Sequence, residues 1–297
     1  MAKHPVGALD LSLGCVPRAA VWRLRDTTLR FGRMPLLMGI VNVTPDSFSD
    51  GGRFVETSAA VEHALGLVAA GATILDVGGE STRPGAAPVD ADEELRRVMP
   101  VVERLCAETD VAVSIDTAKA RVAREAVAAG AQAINDVTAL TGDARMVQVA
   151  VETGAGVCAM HMLGSPGSMQ DDPRYDDVVA EIRNYLAARR DCLMAAGVER
   201  ERICLDPGIG FGKTTEHNLR LLSRIETFHA LGCPVLVGPS RKAFIGRVLG
   251  RMEADRTAGT LGVVLALALA GVQIVRVHDV AAAKQALTLF EAARTNM

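Results

Sequence analysis

The side chains best able to do chemistry stand at or just beyond the ends of eight short apolar runs. The runs span 36–41, 73–77, 111–115, 133–134, 156–160, 203–205, 234–237 and 273–277. With them come, in order, Asn42; Asp76 with Glu80, Ser81, Thr82 and Arg83; Asp116; Asn135 and Asp136; His161; Asp206; Ser240, Arg241 and Lys242; and Arg276 with His278. A single Asp or Asn here can simply cap the next helix, the ordinary reading for Asp136 and Asp279, and Asp76 can serve only to anchor a loop. A whole ring of polar groups in a partly desolvated mouth is better explained by a binding site. Two chemistries separate within it. Asp116, Asn135 and Asp206 suit a planar heterocycle with an N–H beside an exocyclic NH2, because a carboxylate accepts both bonds in fork geometry, and Lys242 can meet that ring's carbonyl. Arg276, His278, Arg83, Thr82 and Asn42 suit a diphosphate, with Asn42 as one oxygen ligand of a Mg2+ whose other ligands are water and phosphate. His161 reads as a hydrogen-bonded lining residue.

The elements that must position this ring follow from the pattern of the runs. Apolar runs without polar alternation are typical of parallel strands covered on both faces. Between them lie helical stripes such as Val61, Ala64, Leu65, Val68 and Val122, Ala123, Ala126, Val127. Asp90 with Glu93 reads as a capping box opening a helix over 94–106, and Val178, Ile182, Tyr185 and Leu186 mark the longest helix, ending near Ala196. Eight strand–helix units predict a (β/α)8 TIM barrel, whose site lies at the C-terminal ends of its strands. An open dinucleotide-binding sheet would need GxGxxG after a first strand, which the sequence lacks. The segment PGIGFGKT (207–214) is a false phosphate loop, since the motif needs glycine where Pro207 stands. Its glycines are expected to let the backbone approach a flat ligand.

Length and composition agree with one such domain. The chain has 297 residues, 49% apolar and 23% charged, with a net charge of -3. That balance provides no global cationic field for nucleic acid or a membrane surface. The longest apolar stretch, 261–272, is too short to span a bilayer, and the first residues lack a signal-peptide core, so a cytoplasmic location is expected. Six scattered cysteines without metal spacing read as core filler. Residues 1–35 stand outside the repeating pattern as an N-terminal extension, and 36–297 form the single barrel domain. Trp22, Leu24, Leu29 and Phe31 alternate around Asp26-Thr27-Thr28, which predicts a hairpin plugging the N-terminal end of the barrel, while residues 1–15 are expected to be loose.

Seven ordered motifs carry a further resemblance: MGIVNVTPDSFSDGG (38–52), DVGGESTRPGA (76–86), SIDTAK (114–119), INDV (134–137), LDPGIGFGK (205–213), VGPSRKAFIG (237–246) and VRVHDV (275–280). Together they resemble the dihydropteroate synthases over nearly all of 34–293. The resemblance implies that 6-hydroxymethyl-7,8-dihydropterin diphosphate is joined to p-aminobenzoate with Mg2+, giving 7,8-dihydropteroate and pyrophosphate. It implies that Asp116, Asn135, Asp206 and Lys242 hold the pterin, with Phe211 also on the substrate. Thr82, Arg83, Arg276 and His278 would take the diphosphate, Asn42 the metal, and Ser240 with the start of the following helix the aminobenzoate carboxylate. Phe48 and Pro84 would lie on two mobile loops closing over that ring, and Asp116, Asp206, Lys242, Arg276 and His278 would carry the catalysis. A homodimer is also implied, with the small-residue helix over 258–270 suited to tight packing.

Three other functions fit the sequence less well. A pterin-dependent methyltransferase would share the cradle but has no need of Arg276 and His278. A non-catalytic pterin-binding paralogue would not keep both loops, and a sugar-phosphate barrel leaves the acidic cradle unexplained.

Overall fold

The computed structural model describes residues 17–44, 53–81, 85–252 and 255–295. The eight apolar runs form strands β3 (Leu36–Asn42), β4 (Ile74–Gly78), β5 (Ala112–Asp116), β6 (Ala133–Asp136), β7 (Gly156–Met160), β8 (Ile203–Asp206), β9 (Leu236–Val237) and β10 (Ile274–Val277). They are parallel in the order β8-β7-β6-β5-β4-β3-β10-β9, and a bridge from Leu205 to Val235 joins the two edge strands into a barrel. Burial on both faces explains why the strands read as unbroken apolar runs.

Helices α1 (Arg53–Ala69), α2 (Ala91–Glu108), α3 (Ala120–Ala128), α4 (Met146–Thr153), α5 (Val178–Ala195) and α6 (Thr215–Leu222) follow β3 to β8 in turn. After β9 come α7 (Ala243–Leu249) and α8 (Thr257–Leu269), and α9 (Val280–Thr295) follows β10. Helix α2 begins three residues before the expected 94. Only half of its capping box exists: Asp90 accepts the Glu93 N–H, but the Glu93 carboxylate is taken by Arg96 and Arg97. Helix α5 has 18 residues, and α2 equals it.

The expected hairpin is present as β1 (Val21–Arg23) and β2 (Thr28–Arg30), antiparallel, with Trp22 opposite Leu29. Trp22 and Leu24 are fully buried in a separate core against Met38, Ile74, Ala112, Ala133, Cys158, Cys204, Leu236 and Ile274. Those partners are early residues of the barrel strands, so the hairpin fills the end opposite the strand C-termini. The Trp22 indole donates to the Arg202 carbonyl at 2.9 Å, which satisfies its one polar atom. Cys158, Cys204 and Cys233 are buried as expected; Cys192 is exposed on α5, and Cys15 lies outside the described residues. No helix among the described residues is long and apolar enough to cross a membrane.

Candidate active site

The C-terminal ends of the strands surround a cavity of about 1240 Å³. Its wall includes Asn42 from the end of β3, Asp116 from β5, Phe211 after β8, Ser240 and Lys242 after β9, and Arg276 and His278 from the end of β10. Asn135, one residue before the end of β6, and Asp206, the last of β8, are almost wholly buried and are not part of that wall. Phe48, Thr82, Arg83 and Pro84 lie outside the described residues.

Arg276 joins the two groups that the sequence separated. Its Nε donates to Asp76 Oδ2 at 2.5 Å and its Nη2 to Asp116 Oδ2 at 2.7 Å. Burial works against the guanidinium charge, but Asp76 and Asp116 outweigh it and raise its pKa. The residue expected at the diphosphate is therefore held by two carboxylates, one of which, Asp116, was expected at the heterocycle. Burial also pushes the Asp116 carboxyl up from the ordinary range, against the pull of Arg276, and raises Asp206 despite the Gly208 N–H donated to its Oδ1 at 2.7 Å. Lys242 is lowered by burial against the opposing pull of Asp206, and its ammonium nitrogen lies 3.8 Å from the centre of the Phe211 ring. These shifts arise because charged groups of both signs are held in a poorly hydrated floor.

On the other side of the mouth, the Ser240 hydroxyl lies 2.9 Å from His278 Nδ1 and accepts the His278 backbone N–H at 3.2 Å. Arg241 beside it takes a left-handed φ of 58°, unusual for a residue with a Cβ. Its carbonyl accepts from Arg256 at 2.8 Å, and its N–H donates to Thr260 at 3.3 Å. Strain at this corner is thus held by two side chains from the α8 region.

The false phosphate loop has a different job from a phosphate cradle. Lys213 is buried and turned inward, donating to the Phe211 carbonyl at 2.8 Å and lying 3.0 Å from His161 Nδ1. Burial lowers the Lys213 amine well below its usual value and takes His161 down to about 3. His161 is hydrogen-bonded as expected, but it is buried behind the cavity wall and does not line it. Gly208 and Gly212 have φ values of 68° and 63°, and a Cβ at either would strike the backbone of His161 or Leu163. The close approach these glycines permit is to the neighbouring β7 loop of the protein itself. Gly210 between them lines the cavity, so the expectation of a flat ligand is left to that glycine alone.

Asp136 and Asp279 have the bland roles. Asp136 accepts the backbone N–H groups of Thr138 and Leu140, and Asp279 caps α9 through the Ala282 N–H. Asp76, read as a possible loop anchor, instead holds Arg276 and the Asn135 amide. Its signal was present in the sequence: a carboxylate inside ILDVG, a strand buried at every position, needs a strong partner.

Among the described residues no group of three His, Cys, Asp or Glu side chains could hold a metal. A lone amide oxygen at Asn42 fits a hard cation that keeps most of its ligands as water and phosphate, and does not fit a dedicated protein cage.

Comparison with known proteins decides between the candidate families. The model of the pterin-binding enzymes matches residues 38–278. The dihydropteroate synthase of Escherichia coli K12 is 48% identical over 258 residues, which covers 87% of this chain and 91% of that relative. This chain belongs to the dihydropteroate synthase family. Within that family, the Xanthomonas albilineans dihydropteroate synthase solved with 4-aminobenzoic acid superposes with a TM-score of 0.86 at 46% identity, covering 93% of this chain and 98% of that one. The same enzyme solved with 7,8-dihydropteroate gives 0.83 at 44% identity, covering 92% and 98%. Family membership accounts for an acidic floor and a basic rim in one mouth.

Proposed function

We infer that the protein is a dihydropteroate synthase, joining 6-hydroxymethyl-7,8-dihydropterin diphosphate to p-aminobenzoate and releasing pyrophosphate. The observation that carries this reading is the cradle itself. Asp116, Arg276, Lys242 and His278 border one cavity, and Asn135 joins Arg276 on the buried carboxylate of Asp76 beside it. The solved relatives with 4-aminobenzoic acid and 7,8-dihydropteroate support the choice of substrates.

The mechanism follows from where charge grows. The bond broken runs from the pterin methylene carbon to a diphosphate oxygen, whose electron pair leaves with the diphosphate. Positive charge then develops over the methylene and the ring, and negative charge on the departing group. Asp116 and Asp206 stabilise the first from the floor, and Arg276 and His278 the second from the rim. The arylamine nitrogen attacks the methylene carbon, and its proton leaves to solvent. Little general-base help is needed, because an arylamine is already unprotonated at neutral pH. Thr82 and Arg83 join the diphosphate side in this reading. Asn42 would hold Mg2+, which when bound supplies positive charge to the diphosphate oxygens.

Phe211 would border the pterin beside Lys242. Ser240 and the start of α7 would meet the aminobenzoate carboxylate, with Phe48 and Pro84 over its ring. A second copy of the chain would cover the exposed apolar side chains of α7, α8 and α9. Val248, Leu249, Leu269 and Leu289 are each at least half exposed there, and α8 is apolar all round. Sedimentation of the purified protein should show a dimer. A cytoplasmic location goes with these soluble substrates.

The deciding experiment follows labelled p-aminobenzoate into dihydropteroate with purified protein, the pterin diphosphate and Mg2+. Product that disappears when the cation is removed establishes the reaction. Pterin binding without product would leave the methyltransferase or the non-catalytic paralogue as the working reading.

A further inference from the structure

Asp76 lies outside the set of residues assigned to the substrates, yet two of those residues converge on one of its oxygens. Oδ2 takes the Arg276 Nε at 2.5 Å and the Asn135 Nδ2 at 2.9 Å. Asp76 has no exposed surface, and its Oδ1 is buried without a partner among the described residues. An arginine offers only donors, so Oδ2 is an acceptor there. The same oxygen can receive Asn135 only through the amide NH2. The reverse amide would press two oxygens together in a buried site, at a cost comparable to a lost hydrogen bond. The side-chain amide of asparagine, whose two ends are ordinarily hard to tell apart, is thus fixed by chemistry.

The consequence lies on the ligand side. With Nδ2 turned to Asp76, Asn135 presents Oδ1 away from it. Asp206 Oδ1 accepts from Gly208 and Asp116 Oδ2 from Arg276, which leaves each carboxylate a second acceptor oxygen. We propose that Asp76 is a specificity-setting positioning residue. It locks the Asn135 amide with Oδ1 as an acceptor beside the two carboxylates, and so selects a heterocycle that carries an exocyclic NH2 there over one that carries a carbonyl. This rests on the pterin reading above.

The test uses two probes of the same shape, 2-amino-4-oxopteridine and 2,4-dioxopteridine, which exchange an NH2 donor for a carbonyl acceptor at position 2 and, with it, an N1 acceptor for an N1–H donor. Fluorescence titration gives both dissociation constants for the wild type and for the D76A, D76V and D76N variants. The wild type should prefer the 2-amino ring. In D76A and D76V no acceptor remains, the Asn135 amide can turn, and the preference should shrink about tenfold, the worth of one hydrogen bond. D76N keeps a carbonyl oxygen where Oδ2 stood and should keep the preference. Two apolar variants are included because one can fail to fold. If whichever of them folds weakens both probes by the same factor, Asp76 is merely structural and the inference falls. If the folded wild type binds neither probe, the pterin reading fails instead.

Discussion

The Ser240 hydroxyl holds His278 at two points, the ring Nδ1 at 2.9 Å and the backbone N–H at 3.2 Å. The side chain that the family resemblance assigns to the aminobenzoate carboxylate is therefore already engaged with a residue of the diphosphate side. The two roles predict different kinetics. If Ser240 works by orienting His278, S240A should lower kcat about tenfold, one modest hydrogen bond's worth, and leave the KM for p-aminobenzoate nearly unchanged. If it works on the carboxylate, that KM should rise while kcat holds. Steady-state kinetics over both substrates separates the outcomes, and the geometry favours the first.

The hairpin makes a prediction of the opposite kind, large in stability and small in chemistry. Trp22 is fully buried at the far end of the barrel from the site, so W22A should leave a cavity and cost about 3–5 kcal/mol. Below its lowered melting temperature the variant should turn over normally. Urea denaturation together with a turnover assay at low temperature checks both halves. A loss of kcat without a loss of stability would mean that the plug communicates with the mouth.

Much of this architecture was legible in the sequence because one physical signal repeats eight times. Strands buried on both faces read as apolar runs, and the polar residues that end several of them, Asn42, Asp116 and His278 among them, fall at the mouth. The hairpin was legible for a similar reason, since Trp22 and Leu24 must face a core. What escaped was pairing across the barrel. Asp76 and Arg276 are 200 positions apart, and no local rule says that a carboxylate on β4 holds an arginine on β10. The same holds for Lys213, whose motif drew attention outward while its side chain turns inward to His161. Residue type identified the participants, and only the closed barrel showed which of them touch.

The buried carboxyls carry a pH dependence whose sign can be worked out. Burial raises Asp116 and Asp206 above their ordinary range. Between the unfolded carboxylate value near about pH 4 and the raised folded values, the folded protein binds more protons than the unfolded chain. Stability of the ligand-free protein from these groups therefore falls as pH rises through that window. Heterocycle binding runs the other way, because an ionised carboxylate is the better acceptor for two N–H bonds, so affinity should fall on acidification through the raised values. Lys242, lowered by burial, should lose its charge on the alkaline side. Thermal melts with and without 2-amino-4-oxopteridine from pH 5 to 8, about the span of these shifts, test this. The ligand-induced rise in Tm should grow with pH across the acidic half, and a rise independent of pH would contradict it.

Asp206 offers the sharpest test of how the reaction proceeds. It ends β8 in the floor of the pocket, its Oδ1 fixed by the Gly208 N–H at 2.7 Å. A carboxylate so fixed can stabilise positive charge spreading through the pterin as the carbon–oxygen bond breaks, before any nitrogen arrives. Asparagine has nearly the same shape and can still accept the Gly208 bond, so D206N removes the charge while keeping the fold. If departure precedes attack, D206N should slow pyrophosphate release even with p-aminobenzoate omitted, by about a hundredfold if the charge matters as much as one preorganised electrostatic contact elsewhere. Substrate binding should weaken too, because the one remaining oxygen takes the Gly208 bond and the amide NH2 then faces the heterocycle, so release is compared at saturating pterin diphosphate. Rapid-quench measurement of pyrophosphate from labelled pterin diphosphate, with and without the arylamine, reads this directly. Unchanged release in D206N would remove Asp206 from the cation-stabilising role, and release that waits for the arylamine in the wild type would place attack first.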